Sequence, residues 1–305
     1  MFVPFISKRS ESKLFKRKGG GGKGGGSSSG GAKSSGSGSS GSSAGKSGGT
    51  ARSSSISSGG TTKAATSYGS GGGKVVTIPS GQLFAGRTSG GGTRSQVVGT
   101  RTYGSGYPGL PNQRGVASLG FPFIFWPLAW GGIAGIGTAA YLHSSEYGRF
   151  DNSSRPGGIM MTAAFTSSSP ATTFRIVSDN TTVQALIQDI TANCSSSNLV
   201  SPDSIVATTY NDSLTAPVPE QVVQYYRAST VALSLDGYND TAALDAPGEA
   251  DTSLPTNIDT TLLNCLNQTI AAAAPLVDGG LRWTPPPTTG LIGVAYLVWS
   301  LSSLF

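Results

Sequence analysis

Histidine occurs once in the 305 residues, as His143, and cysteine twice, as Cys194 and Cys265. A histidine-dependent nucleophile would have to use His143, at the end of an uncharged stretch, where it reads as an interfacial or loop residue. Three such residues, two of them candidates for a bridge, do not make a tetrahedral zinc set. Acids are scarce in one half only. Residues 1–114 hold 16 Lys and Arg but the single acid Glu11, whereas 115–305 hold 5 bases and 14 acids. The halves therefore carry +15 and −9, within a net charge of +6. The carboxylates are scattered through the second half, and spacing assigns no acid–base pair, so the sequence predicts no catalytic, cofactor-binding or metal-binding residues.

The first third lacks apolar residues to bury. Over 19–60, 17 Gly and 16 Ser fill 42 positions, too little apolar surface to offset the backbone entropy of folding. The tract 19–66 is therefore expected to be a disordered flexible coil. Residues 1–18 form a basic leader. Its apolar run, Phe2–Ile6, is shorter than the roughly 7–15 residues of a signal-peptide core, and Lys8-Arg9 and Lys16-Arg17 resemble dibasic processing sites. Gly41-Ser42-Ser43-Ala44-Gly45 matches a nucleophile-elbow string and Gly45-Lys46-Ser47 the end of a phosphate loop, but both lie in low complexity without the strand that either motif needs. The basic tail has no Arg-Gly-Gly repeats and few aromatics for base stacking, which argues against nucleic acid. The favoured reading is a solvated spacer with no fixed partner; acidic polysaccharide or acidic lipid head groups are the expected partners if the charges contact anything.

Residues 67–118 stay glycine-rich and are expected to be of low order, with strand character in Lys74–Ile78 and Gln96–Tyr103. The uncharged segment 119–142, 24 residues long, is a candidate membrane span because a helix of that length exceeds a hydrocarbon core of about 30 Å. Pro122, Pro127 and repeated glycines favour the other reading, an aromatic stretch of a soluble domain. At the far end, Asp278-Gly279-Gly280, a spacer and the uncharged tail Gly290–Phe305 follow the order of a GPI-attachment signal, with Asp278 as the preferred lipid-attachment residue. A terminal span or core strand is the alternative for this tail.

Between these segments, 158–278 is expected to be the folded domain. Ile159–Thr166, Thr172–Ser178, Ser204–Thr209 and Ser229–Asp236 read as strands. Val183, Leu186, Ile187 and Ile190 share one face of a helix from Asn180 to about Cys194, capped by Ser178 or Asp179. Glu220–Arg227 reads as a short helix opened by Pro219. Ile258, Leu262, Leu266 and Ile270 mark a last helix capped by Thr256 or Asn257. The predicted class is α+β, with one small domain of mainly antiparallel sheet and two to three helices, preceded by the long Gly/Ser-rich tail. Cys194 and Cys265 fall on the first and last helices. A disulfide between them would close a loop of about 70 residues and add roughly 4 kcal/mol on the chain-entropy model; two buried free thiols are the alternative.

Six Asn-x-Ser/Thr sequons, at Asn152, Asn180, Asn193, Asn211, Asn239 and Asn267, use six of the nine asparagines after residue 114. That enrichment predicts N-glycosylation and lumenal exposure of this half.

Val97–Gly109, Val-Val-Gly-Thr-Arg-Thr-Tyr-Gly-Ser-Gly-Tyr-Pro-Gly, followed by Phe121–Trp130, Phe-Pro-Phe-Ile-Phe-Trp-Pro-Leu-Ala-Trp, resembles a group of uncharacterised fungal Gly/Ser-rich secreted or membrane-anchored surface proteins. The resemblance implies surface localisation and carries no catalytic residues. The expected function is a non-enzymatic, structural or adhesive glycoprotein at the cell surface, membrane-anchored or secreted. Two alternatives stand beside it: a signal-anchored membrane protein with a basic cytosolic tail binding acidic lipid or partners, and an extracellular hydrolase working with carboxylates alone.

Overall fold

A computed structural model of the chain describes residues 53–58, 61–66, 69–110, 113–131, 142, 145–212, 217–245 and 249–277. The leader 1–18, the Gly41–Gly45 and Gly45–Ser47 strings, His143, Asp278 and the segment 279–305 lie outside the described residues.

The long antiparallel pair β5 (Met160–Ser168) and β6 (Ala171–Asp179) follows the two apolar runs expected to be strands. It runs in continuous register from Met160 opposite Asp179 to Ser168 opposite Ala171. Helix α1 (Asn180–Cys194) starts directly from β6. Asp179 keeps extended dihedrals (φ −62, ψ 156) and its side chain accepts from the Thr182 N–H, which makes it the N-cap. Val183, Leu186, Ile187 and Ile190 are buried, so the apolar face reads as its spacing predicts.

Two elements differ from expectation. Glu220–Arg227 is not a helix: after a 3-10 turn at Pro219–Gln221, Val222–Tyr226 forms strand β8. Its Val-Val and Tyr-Tyr pairs suit a pleated surface better than a helix. Helix α2 (Thr260–Ala273) is capped by Asp259, which accepts from the Leu262 N–H, rather than by Thr256 or Asn257. Carboxylate and asparagine caps are near-equal in preference, so position is decided by where the chain enters the helix. Of the expected strand Ser204–Thr209, only β7 (Thr208–Thr209) pairs with β5. β9 (Val231–Leu235) lies within its expected run. The sheet order is β7-β5-β6-β9-β8, all antiparallel. The fold is α+β, with a mainly antiparallel sheet and two α-helices among the described residues.

Neighbouring residues of a strand point to opposite faces, and β8 shows what covers each. The Tyr226 hydroxyl donates to Asn267 Oδ1 on α2. The Tyr225 ring instead meets Tyr103 and Trp130, at 5.6 and 6.4 Å between centroids. Helices therefore cover one face and the segment before residue 131 covers the other, which is why every residue of β9 is buried.

That segment departs most from its expected low order. It has only two-residue strands, β3 (Val76–Thr77) and β4 (Thr88–Ser89), yet it buries Ile78, Val97, Tyr103, Tyr107 and Val116. Val97–Thr100 lies along the outer edge of β8. Gly99 N–H donates to Tyr225 O, Tyr225 N–H to Thr100 O and Arg227 N–H to Val97 O, at 3.0, 2.8 and 2.6 Å. A sheet edge that would otherwise be open is thus closed. Gly104 is needed where it stands: φ is +100 and a Cβ would overlap the backbone of Gly115.

The candidate membrane span is also different where it is described. Residues 119–131 are not helical, and Phe121, Phe123, Ile124, Phe125, Trp126, Leu128 and Trp130 are core residues. Proline at 122 and 127 removes two donors and breaks helical continuation. Two of the remaining N–H groups find distant backbone partners, Phe121 N–H at Thr88 O and Leu128 N–H at Ser229 O. No helix among the described residues is long and apolar enough to cross a membrane; 132–141 lie outside them.

Within the tract expected to be disordered, β1 (Ser53–Ser58) and β2 (Thr61–Thr66) pair antiparallel. β10 (Leu276–Val277) adds to β2, opposite Thr66 and Ala65.

Candidate functional site

Three features bear on function: a buried ionic centre, two small clefts, and the bridge and sequons of the second half. The ionic centre lies at the turn between β8 and β9. Arg227, Ala228 and Ser229 all have positive φ, 51, 50 and 58°, a run of left-handed conformations that costs non-glycine residues energy. Arg227 is fully buried, and each of its three guanidinium nitrogens donates a hydrogen bond. Its Nε donates to Thr230 Oγ1 (2.6 Å), Nη1 to Pro275 O (2.8 Å) and Nη2 to Asp179 Oδ2 (2.7 Å). Its guanidinium lies 3.5 Å from the centroid of the Phe125 ring.

Asp179 gathers further donors: Thr182 N–H, the Thr181 and Thr182 hydroxyls, and Ser178 Oγ. A Cβ at Gly157 would overlap this carboxylate. Burial lowers the Arg227 pKa to about 10, against the pull of the neighbouring Asp179 charge. The pair joins β6, α1, the β8–β9 turn, Pro275 and the aromatic segment. With side chains 0 and 6% exposed, it holds these parts in register and cannot reach a ligand.

Arg155 plays a parallel part without an acid. Nη1 donates to Tyr147 O (3.0 Å), and Nη2 to Trp126 O (3.3 Å) and Pro127 O. Burial lowers its pKa to about 10 as well. Arginines of the basic half make similar clamps on backbone carbonyls. Arg94 Nη1 donates to Ala274 O (2.7 Å) and Ala271 O (3.3 Å) at the C-terminus of α2, where a cation suits the helix dipole. Arg114 donates to Ala242 O and Asp245 O, and Arg101 to Thr252 O and the Tyr238 hydroxyl. Arg87 pairs with Glu146 at 2.7 Å.

One cleft is lined by Gly90–Gly92, Phe123, Ile124 and Leu276. The other brings Asp240 and Asp251 together with Arg101 and Arg114. Each has a volume of about 10 Å³, room for roughly one water molecule. Among the described residues no group of three or more His, Cys, Asp or Glu could hold a metal ion.

Cys194 and Cys265 form a disulfide, with Cα atoms 5.8 Å apart and a sequence separation of 71. It ties the last turn of α1 to α2, as their helix positions predict. None of the six sequon asparagines is buried: Asn211 and Asn239 are exposed, and Asn152, Asn180, Asn193 and Asn267 are partly exposed. They are not gathered into one site. Asn180 and Asn193 stand at the two ends of α1, Asn267 lies in α2, and the others in turns or loops.

The reading of the sequence missed the buried arginines. A cation within Val-Val-Gln-Tyr-Tyr-Arg-Ala is the one local signal that Arg227 has a partner in the interior. Comparison with known protein families, characterised proteins and solved structures finds no match to this chain.

Proposed function

We propose that the protein is an exported, non-enzymatic glycoprotein of the cell surface with a structural or adhesive role. The observation that carries this reading is the Cys194–Cys265 disulfide, because such bridges persist in oxidising compartments. The accessible asparagines of the six sequons agree with it. Anchorage through the segment after Asp278 and contact of the basic N-terminal residues with acidic polysaccharide or lipid belong to the same proposal. The architecture also suits passive presentation. Both faces of β9 are covered, and the ionic groups of the interior are spent on internal bonds.

Expression of the full chain in a eukaryotic secretory host tests the reading. Glycosidase should increase its gel mobility, reduction should change it, and phospholipase C should release it from intact cells. A chain that stays in the cytosol, reduced and without glycan, refutes export. Release into the medium without phospholipase removes the anchor while leaving the exported glycoprotein standing.

A further inference from the structure

The six sequons are chemically alike in sequence but unlike in the fold. Transfer of an N-glycan uses the asparagine carboxamide together with the hydroxyl of the residue two positions on. In a helix, residues two apart point about 200° from each other around the axis and do not meet.

Asn180-Thr181-Thr182 forms the first turn of α1. The Thr182 hydroxyl is buried and donated to Asp179 Oδ2 at 2.7 Å. Asn193-Cys194-Ser195 closes the same helix. Its middle residue is fully buried and bonded to Cys265, and Ser195 continues in right-handed helical dihedrals (φ −55, ψ −31). Asn267-Gln268-Thr269 lies within α2. Thr269 is buried with its hydroxyl 3.6 Å from Cys194 Sγ, and Asn267 Oδ1 is taken by the Tyr226 hydroxyl.

Two other sequons are presented differently. At Asn152-Ser153-Ser154 the Ser154 N–H donates to Asn152 Oδ1 at 2.9 Å, so the chain already turns the carboxamide toward the third residue. Ser153 and Ser154 are exposed. Asn239 and Thr241 are both exposed, and Asn239 precedes the 3-10 turn that begins at Thr241.

We infer that Asn152 and Asn239 accept an oligosaccharide in the folded protein, whereas Asn180, Asn193 and Asn267 accept it only before α1, α2 and their disulfide form. This rests on the exported-glycoprotein reading for its setting in the cell. The donor class is a lipid-linked oligosaccharyl diphosphate. Asn Nδ2 bonds to C1 of the leading sugar as the C1–O bond to the diphosphate breaks; the diphosphate leaves with the bonding pair and the Nδ2 proton passes to solvent. Cys265 follows Cys194 by 71 residues, so the bridge closes late and leaves an interval in which Asn193 is still open to transfer.

The full chain, made without glycans in an oxidising bacterial periplasm, is incubated with oligosaccharyltransferase and lipid-linked oligosaccharide. Short synthetic peptides of the five sequons run in parallel, and each site is scored by mass spectrometry as its rate in the chain over its rate as a peptide. Asn152 and Asn239 should keep that ratio near one, and the three helical sites should fall at least about tenfold below it, since reaction there waits for local opening of the helices. Equal ratios at all five sites overturn the inference. In a secretory host, Cys265→Ser should raise occupancy at Asn193 and Asn267 severalfold relative to Asn152; unchanged occupancy overturns the role of the bridge. Failure of export would appear in cells alone, leaving the result with purified components intact.

Discussion

Residues 69–131 and 160–277 each bury large apolar side chains completely, by opposite means. In 160–277, backbone groups are satisfied by ladders and helices, and side chains alternate with period 2 or 3.6. In 69–131, strands are two residues long and glycines with positive φ recur, yet Phe121, Phe125, Trp126, Leu128 and Trp130 are as buried as the sheet they cover. Its order comes from docking. Aromatic area is buried against the sheet, Val97–Thr100 closes the edge of β8, and Arg94, Arg101 and Arg114 hold carbonyls of the second region. Irregular backbone can therefore be well ordered where its hydrogen bonds are made to another part of the chain.

The comparison breaks if the two regions unfold apart. Phe121→Ala should cost about 3–5 kcal/mol through lost burial and the cavity left behind. It should shift one urea transition seen alike by tryptophan fluorescence and by helical circular dichroism; two separated transitions would show that the first region is an appendage.

Arg227→Met should cost about 3–5 kcal/mol, because it leaves the Asp179 carboxylate buried without its cation. Adding Asp179→Asn, which preserves an N-cap, should recover much of that loss. A single-mutant cost that the second change leaves untouched would mean that Arg227 acts through packing on Phe125 alone.

Removing the bridge in Cys194→Ala/Cys265→Ala should cost about 2–5 kcal/mol, again within one transition measured by urea. Arg94→Ala should cost about 1 kcal/mol by uncapping the C-terminus of α2 from the first region; amide exchange at Ile270–Ala274 should quicken more than exchange in α1.

The smallest effect expected is on the acid limb. Burial alone would raise the Glu146 pKa, but the Ser118 N–H and the Arg87 guanidinium outweigh it and hold the carboxyl below its ordinary value. Asp259 is depressed in the same way, with burial outweighed by the Leu262 N–H and Asn198. In the unfolded chain both bind protons at higher pH, so acidification favours unfolding. The stability they contribute is present above the ordinary carboxylate range and is lost as pH falls through their folded values. Glu146→Gln should flatten the fall in urea midpoint between about pH 5 and pH 3. An unchanged slope would show that the Arg87–Glu146 pair, which joins 69–131 to the turn at 145–147, carries no charge-dependent stability.

Legibility in the sequence followed the range of the interactions. β5, β6, α1 and β9 could be read because their apolar residues repeat within a few positions. β8 was obscured by the Pro219-Glu220-Gln221 opening, which resembles a helix start, although the Val-Val and Tyr-Tyr pairs behind it carry strand propensity. The hairpin β1–β2 was hidden by a composition that suggests disorder. The sequons were visible as three-residue patterns, but the side on which each hydroxyl lies was not.

By itself, the sequence determined the α+β class, the positions of α1 and of both cysteines, and the six asparagines, since each depends on local period or on residue type. Tertiary structure alone decided that the glycine-rich and aromatic segments are core, that Arg227 and Arg155 are interior cations, and that like sequons sit in unlike surroundings. Those outcomes depend on which distant carbonyl, ring or carboxylate each group meets after the chain has closed, and local spacing carries no record of that partner.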